Sequence, residues 1–123
     1  MFDALFVREY DRNKYNCAHL VADAWQLATG KTLPASYGLF TRPVGERRAD
    51  TALRADFLRL DAPSPPCIVL MTRPRFQPHV GLFWADKVLH ITEQGVAFQP
   101  LDVVSIGFTK IRFYKCREPQ PLP

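Results

Sequence analysis

The sequence predicts an α+β fold in which N-terminal helices pack on an antiparallel β-meander, and three observations carry that reading. Apolar residues recur at spacings of three and four after Cys17, at Leu20, Val21, Ala24, Leu27 and Ala28. From Pro63 onward the pattern becomes short apolar or alternating runs separated by turn residues such as Asp86-Lys87 and Gln94-Gly95. Helical periodicity comes first and strand periodicity second, without the regular alternation of the two that marks a parallel sheet.

The elements follow in order. A short N-terminal helix or turn leads into the segment at Cys17. The amphipathic segment that opens at Cys17 contains no proline and meets Gly30 and Lys31 as a stop, which places Cys17 in the first turn of a helix. Residues 31 to 49 hold Pro34, Gly38, Pro43 and Gly45 and are expected to be irregular. Asp50 caps a second helix that runs through Leu53, Phe57 and Leu58. Pro63-Ser64-Pro65-Pro66 then punctuates the chain, and strands are predicted over 67 to 72, 79 to 84, 87 to 92, 95 to 99 and 109 to 115. Residues 1 to 116 form one domain on this reading, and 117 to 123 are a proline-rich tail, extended or disordered.

Composition narrows the function classes. With 123 residues, 47% of them hydrophobic, the chain suits a single modest core. The net charge of +4 comes from scattered basic residues, with local groups at Arg42, Arg47, Arg48 and Arg54 and at Arg73 and Arg75. Such scatter is the pattern of a solvated surface, and no interleaving of basic and aromatic residues points to nucleic acid as a partner. The N-terminus has an acid at Asp3 and lacks a basic region followed by a long apolar core, so no secretory signal is expected and the chain is made in a cytoplasm. No run approaches the roughly 20 apolar residues of a membrane span.

Chemistry concentrates at Cys17. A cysteine acts as a nucleophile through its thiolate, which a helix N-terminus and a nearby imidazolium both favour. Cys67 offers a contrast, since it opens the run Cys67-Ile68-Val69-Leu70-Met71, which reads as a fully buried strand. Cys116 lies in the last strand. The odd count of three, with no close pair, argues against a disulfide framework and against a zinc or redox pair.

Strand parity supplies a base. If the strand from His79 turns through Trp84 to Lys87 and returns, Val80, Leu82, Leu89 and Ile91 share one face. His79, Gly81, Phe83, Val88, His90 and Thr92 then share the other, with the histidines one diagonal step apart. His90 can hold one nitrogen of His79 while the other faces a thiol, which is how an orienting group keeps a base in the correct tautomer. Tyr15 is a candidate to line the site or donate to an oxyanion beside the Cys17 backbone N–H, and Asn16 joins it at the substrate side.

At Cys17, in the run Tyr15-Asn16-Cys17-Ala18-His19-Leu20-Val21, at His79 in His79-Val80-Gly81-Leu82-Phe83, and at His90, the chain resembles the NlpC family of papain-like cysteine peptidases. That family carries a cysteine opening a helix in an Asp-Cys-Ser-Gly-Phe-like run, a histidine opening a His-Val-Gly-Ile-Tyr-like strand, and a third polar residue on the next strand. The resemblance spans roughly residues 10 to 105, and the chain departs from it at Asn16, Ala18 and His19. It implies a papain-like fold and acyl transfer by Cys17, His79 and His90 on peptidoglycan stem peptides, often at a bond between D-glutamate and a diamino acid. No cofactor or metal is called for. The small size and lack of a signal resemble the branch found in phage and prophage tails, implying a virion tail-tip location and tail-tip or baseplate hub proteins as partners. Two other readings remain: a structural tail-tip protein without turnover, and a metal-binding module using Cys17, His19, His79 or His90. Spacing disfavours the latter, because His19 lies about 200° around the helix from Cys17.

Overall fold

The computed structural model describes residues 1–42 and 50–117. The helix that opens the fold, α1, spans Cys17–Thr29. Asn16 is its N-cap: the Asn16 side-chain oxygen accepts from the Ala18 N–H at 3.0 Å, and the His19 ring nitrogen Nδ1 accepts from the Asn16 backbone N–H at 3.0 Å. The two form a capping box in which histidine replaces the usual glutamate. Gly30 ends the helix with a left-handed φ of 73° and returns its N–H to the Gln26 carbonyl, a conformation that glycine adopts without a Cβ penalty.

Two further helices are short, α2 at Asp50–Asp56 and α3 at Leu101–Ser105, and 3-10 turns cover Asp3–Leu5 and Ala35–Thr41. Six strands follow or intervene: β1 Phe57–Leu60, β2 Cys67–Thr72, β3 His79–Trp84, β4 Lys87–Thr92, β5 Gly95–Pro100 and β6 Lys110–Cys116. They form one antiparallel sheet in the order β1-β6-β2-β3-β4-β5.

The α+β layout therefore stands, with three corrections. The second helix stops at Asp56, and Phe57 and Leu58 belong to an edge strand paired with β6, Phe57 opposite Cys116. Helix and strand competed for a short apolar stretch, and cross-strand pairing plus burial of Phe57 against Phe40, at 4.9 Å between ring centroids, decides it. The meander holds for β2 to β5 only, because β6 returns to lie between β1 and β2. Residues 31 to 42 are not wholly irregular, since a 3-10 turn buries Tyr37 and Phe40 there. Pro43, Gly45, Arg47, Arg48 and the tail residues 118 to 123 lie outside the described residues. Arg117, assigned to the tail by sequence, remains tied to α2 through its N–H on the Asp56 carbonyl at 2.8 Å and its Nε on the Arg54 carbonyl at 2.7 Å.

The sheet buries apolar residues on both faces. Leu20, Val21, Ala24 and Trp25 of α1 bury against Ile68, Leu70, Val80, Leu82, Leu89 and Ile91. On the reverse face Cys67, Val69, Met71, Phe83 and Val88 pack with Val104 of α3. Parity along β3 and β4 is set by a two-residue turn, Ala85 and Asp86, with φ of 50° and 63°. Left-handed φ at both positions is the twist that a tight hairpin requires, and it aligns Trp84 with Lys87 and Leu82 with Leu89.

Candidate active site

The hairpin register brings His79 and His90 together on the reverse face. His79 Nε2 and His90 Nδ1 are 3.0 Å apart, and His90 Nε2 is 3.0 Å from Gln99 Oε1. The chain of three fixes the protons. The Gln99 oxygen can only accept, so His90 carries its proton on Nε2 and presents a bare Nδ1; His79 must then donate from Nε2, which leaves its Nδ1 lone pair free. A neutral imidazole with an open Nδ1 is a general base. His90 is buried and His79 half-buried, with Phe108 stacked on the His79 ring at 5.8 Å between centroids and 4° between planes.

Gly81 makes the pairing possible. A Cβ there would meet Val88 Cγ1 at 2.6 Å, the Leu89 carbonyl oxygen at 3.0 Å and Met71 Cε at 3.2 Å. Glycine in a strand marks a close approach, and here it lets β4 lie against β3 beside the two rings.

Cys17 is brought to the same end of β3 from the other side. It is half-buried at the first turn of α1 and packs against the core under that helix. Burial pushes its thiol above the ordinary value, while the backbone N–H groups of Val80, Ala18 and Cys17 pull it back. Val80 directly follows His79, so the sulfur sits near the start of β3, the strand that carries His79. Among the described residues, no hydrogen bond joins the Cys17 thiol to the His79 ring. Burial, then the charge of His90, then Arg73 push the His79 pKa down to about 4. The resting pair is therefore a thiol and a neutral imidazole. The thiolate expected from the helix start is not the resting form, because desolvation outweighs the N–H groups around the sulfur.

The two residues that sequence reasoning placed on the substrate side have their polar groups committed elsewhere. The Tyr15 hydroxyl donates to Asp23 Oδ2 at 2.7 Å, its ring stacks on His19 at 5.9 Å, and the Arg8 guanidinium lies 4.6 Å from the ring centroid. Burial and then Asp23 hold that hydroxyl strongly in its protonated form. Asn16 caps α1 with its side-chain oxygen and donates from Nδ2 to the Arg12 carbonyl at 3.1 Å. His19 serves the same cap and not the site. Among the described residues no group of three or more His, Cys, Asp or Glu is placed to hold a metal ion, and no helix is long and apolar enough to cross a membrane.

Two residues that sequence reasoning missed belong to the site. Gln99 lies on the face of His90 because His90 pairs with Ala97 and Val88 with Gln99; the same hairpin arithmetic that joined His79 to His90, carried one strand further, would have found it. Tyr37 is buried beside Cys17: its hydroxyl donates to the Ala18 carbonyl at 2.7 Å, and burial followed by the charge of a Cys17 thiolate pushes its pKa up. It ties the first turn of α1 to the 3-10 segment. No pattern in residues 31 to 42 signals that contact. Compared with protein-family models, curated proteins and solved structures, the chain gives no match in any of the three.

Proposed function

We propose that the protein is a cysteine hydrolase of the NlpC-type papain-like fold, cleaving amide bonds in peptidoglycan stem peptides, with Cys17 as nucleophile, His79 as base and His90 as the group that orients it. The observation that carries this reading is the chain from Gln99 through His90 to His79, which leaves His79 Nδ1 unprotonated at the strand start where the Cys17 sulfur sits.

The chemistry follows from the protonation states. As the Cys17 sulfur attacks the amide carbonyl carbon, His79 Nδ1 takes the thiol proton, so the thiolate forms only as the C–S bond does. The developing oxyanion meets the Cys17 backbone N–H at the helix start. The imidazolium, steadied by His90, gives its proton to the departing amine nitrogen as the C–N bond breaks. Water then attacks the thioester with His79 again as base, releasing the acid and restoring the thiol. Tyr37 acts as a positioning residue, holding the Ala18 carbonyl and thereby the first turn that carries the sulfur. The phage tail-tip setting, with hub or baseplate proteins as partners, completes the proposal and rests on the family resemblance alone.

The test is release of stem-peptide fragments from purified cell walls of several chemistries. Wild-type protein is expected to release them and Cys17→Ala protein to release none. A second reading, a structural tail-tip protein with the same fold, is favoured by the uncharged resting state of Cys17 and His79. It is preferred if wild-type protein releases nothing while Cys17→Ala protein fully restores the assembly of tails that lack the chain.

A further inference from the structure

The loop that leads from β2 into His79 builds an open, solvent-exposed cationic cavity on the surface near His79. Thr72, Arg73, Arg75, Phe76, Thr109 and Lys110 are among its walls, and its volume is about 530 Å³. Three of those walls are cations and none of the lining residues is acidic. The cavity is braced at both ends. The Arg73 guanidinium lies 3.8 Å from the Phe76 ring centroid and 5.8 Å from that of Phe108, and Phe108 stacks on His79. Thr109 closes the base, its N–H and hydroxyl both donating to the Thr72 carbonyl at 2.9 and 3.0 Å. Arg75 has a left-handed φ of 70°, a conformation that costs a non-glycine residue and persists where the surroundings enforce it.

Such a pocket has an evident chemical preference. A guanidinium stacked on a ring keeps its N–H edge available, and a carboxylate matches that edge in a bidentate fashion. Like charges gathered around one cavity repel each other until an anion enters. Phe108 stacks on His79 and lies 5.8 Å from the Arg73 guanidinium, so one aromatic ring links this cavity to the His79 imidazole.

We infer that this cavity is the subsite for a free carboxylate on the substrate, so that the enzyme selects amide bonds flanked by an acidic residue whose carboxyl is not amidated. The inference rests on the function proposed above and names its specificity determinants: Arg73, Arg75 and Lys110. It follows that amidation of that one carboxyl protects a wall from the enzyme.

Binding separates this inference from the activity on which it rests. Isothermal titration of the full-length Cys17→Ala protein uses two probes, a stem peptide with a free glutamate α-carboxyl and the same peptide with that carboxyl amidated. The free acid is expected to bind roughly tenfold or more tightly, the size of a charge-assisted contact. Arg75→Gln combined with Lys110→Gln is expected to shrink the difference severalfold by weakening the acid only, Arg73 holding the remainder, and raising salt should narrow it in the intact pocket. Arg75 and Lys110 are exposed, so their replacement leaves the fold intact, and Arg75→Lys should restore part of the preference. Equal binding of the two peptides, no binding of the acid, or a preference that the double substitution leaves undiminished overturns the inference. Wild-type protein that binds the acid selectively yet cleaves neither peptide would sink the hydrolase and leave the pocket standing. Cleavage of both peptides at equal kcat/KM would do the reverse.

Discussion

The hairpin of β3 and β4 presents two faces built by the same backbone, and they could hardly differ more. Val80, Leu82, Leu89 and Ile91 on one side are fully buried under α1, with their side chains in the apolar core. On the other side Phe83 and Val88 are buried, and His79, His90 and Gln99 of β5 are joined beside Gly81 in a chain of hydrogen bonds. Alternation along a strand lets stability and chemistry occupy adjacent residues with little interference. The aliphatic face holds α1 down on the sheet, and α1 in turn carries Cys17 to the end of β3. The apolar face thus positions the proposed nucleophile, and the opposite face positions the proposed base.

Substitutions on each face should therefore separate rate from stability, and the largest effect is expected on rate. In the proposed reaction Cys17 and His79 act as one unit, so Cys17→Ala and His79→Ala should each lower kcat/KM by roughly a thousandfold or more, with the double variant hardly worse than either. Urea midpoints of both singles should stay near that of the wild type. Additive losses in the double variant would show that the two residues do not share a step. On the other face Leu82→Ala should cost about 3 kcal/mol of stability, through lost burial and a cavity, while the rate per folded molecule is retained. A Leu82 variant that folds well but turns over slowly would break the division between the faces.

Gly81 lies on the boundary between these effects. Its Cβ would overlap Val88 and crowd the Leu89 backbone, and backbone cannot yield as a flexible side chain does. Gly81→Ala should therefore cost about 2 kcal/mol and reduce turnover as well, since β4 must move away from β3 and carry His90 with it. Urea unfolding and kcat measured on the same sample would check both, and a loss of stability with turnover untouched would separate Gly81 from the histidine pair.

Much of this division was legible in the sequence, and the reasons are local. The 3.6-residue spacing after Cys17, the stop at Gly30 and the two-residue turn at Ala85-Asp86 each act over a few residues, so α1, β2 to β5 and the pairing of His79 with His90 could be read directly. What could not be read was non-local. Nothing in Lys110–Cys116 says that this strand inserts between β1 and β2, and Phe57–Leu60 is a strand only because β6 pairs with it. Tyr15 and Asn16 looked available because a sequence does not reveal that Asp23 and the helix cap already occupy them. The cost of burying a thiol is equally invisible before the packing is known, which is why Cys17 reads as a thiolate in sequence and sits as a thiol in the fold.

Gln99 sharpens the polar face. If its oxygen fixes the tautomer of both histidines, Gln99→Ala should lower kcat about tenfold with KM nearly unchanged, because the ring orientation is loosened and no substrate contact is lost. Gln99→Glu, which keeps the acceptor, should restore most of the rate. A Gln99→Ala protein with wild-type kcat would mean that His90 finds its orientation without help.

The smallest effect concerns acid. His79 titrates at about 4 in the fold against an ordinary value of 6.5, so between those two values the unfolded chain binds the proton that the folded protein refuses. Unfolding is then favoured progressively as pH falls through that window, whereas above about 6.5 the two states bind alike and His79 contributes no slope. The loss should be on the order of 1 kcal/mol, since the half-buried ring is partly screened by water. Carboxylates elsewhere also take up protons near the lower end, so the informative quantity is a difference. His79→Gln should flatten the fall in urea midpoint between pH 7 and pH 4.5 relative to wild type, whereas Val80→Ala, one residue along on the apolar face, should shift the whole curve down without changing its slope. Parallel curves for wild type and His79→Gln would mean that the ring is as easily protonated as in water. The neutral imidazole that serves as base in the proposed reaction would then be lost as soon as the pH fell below 6.5.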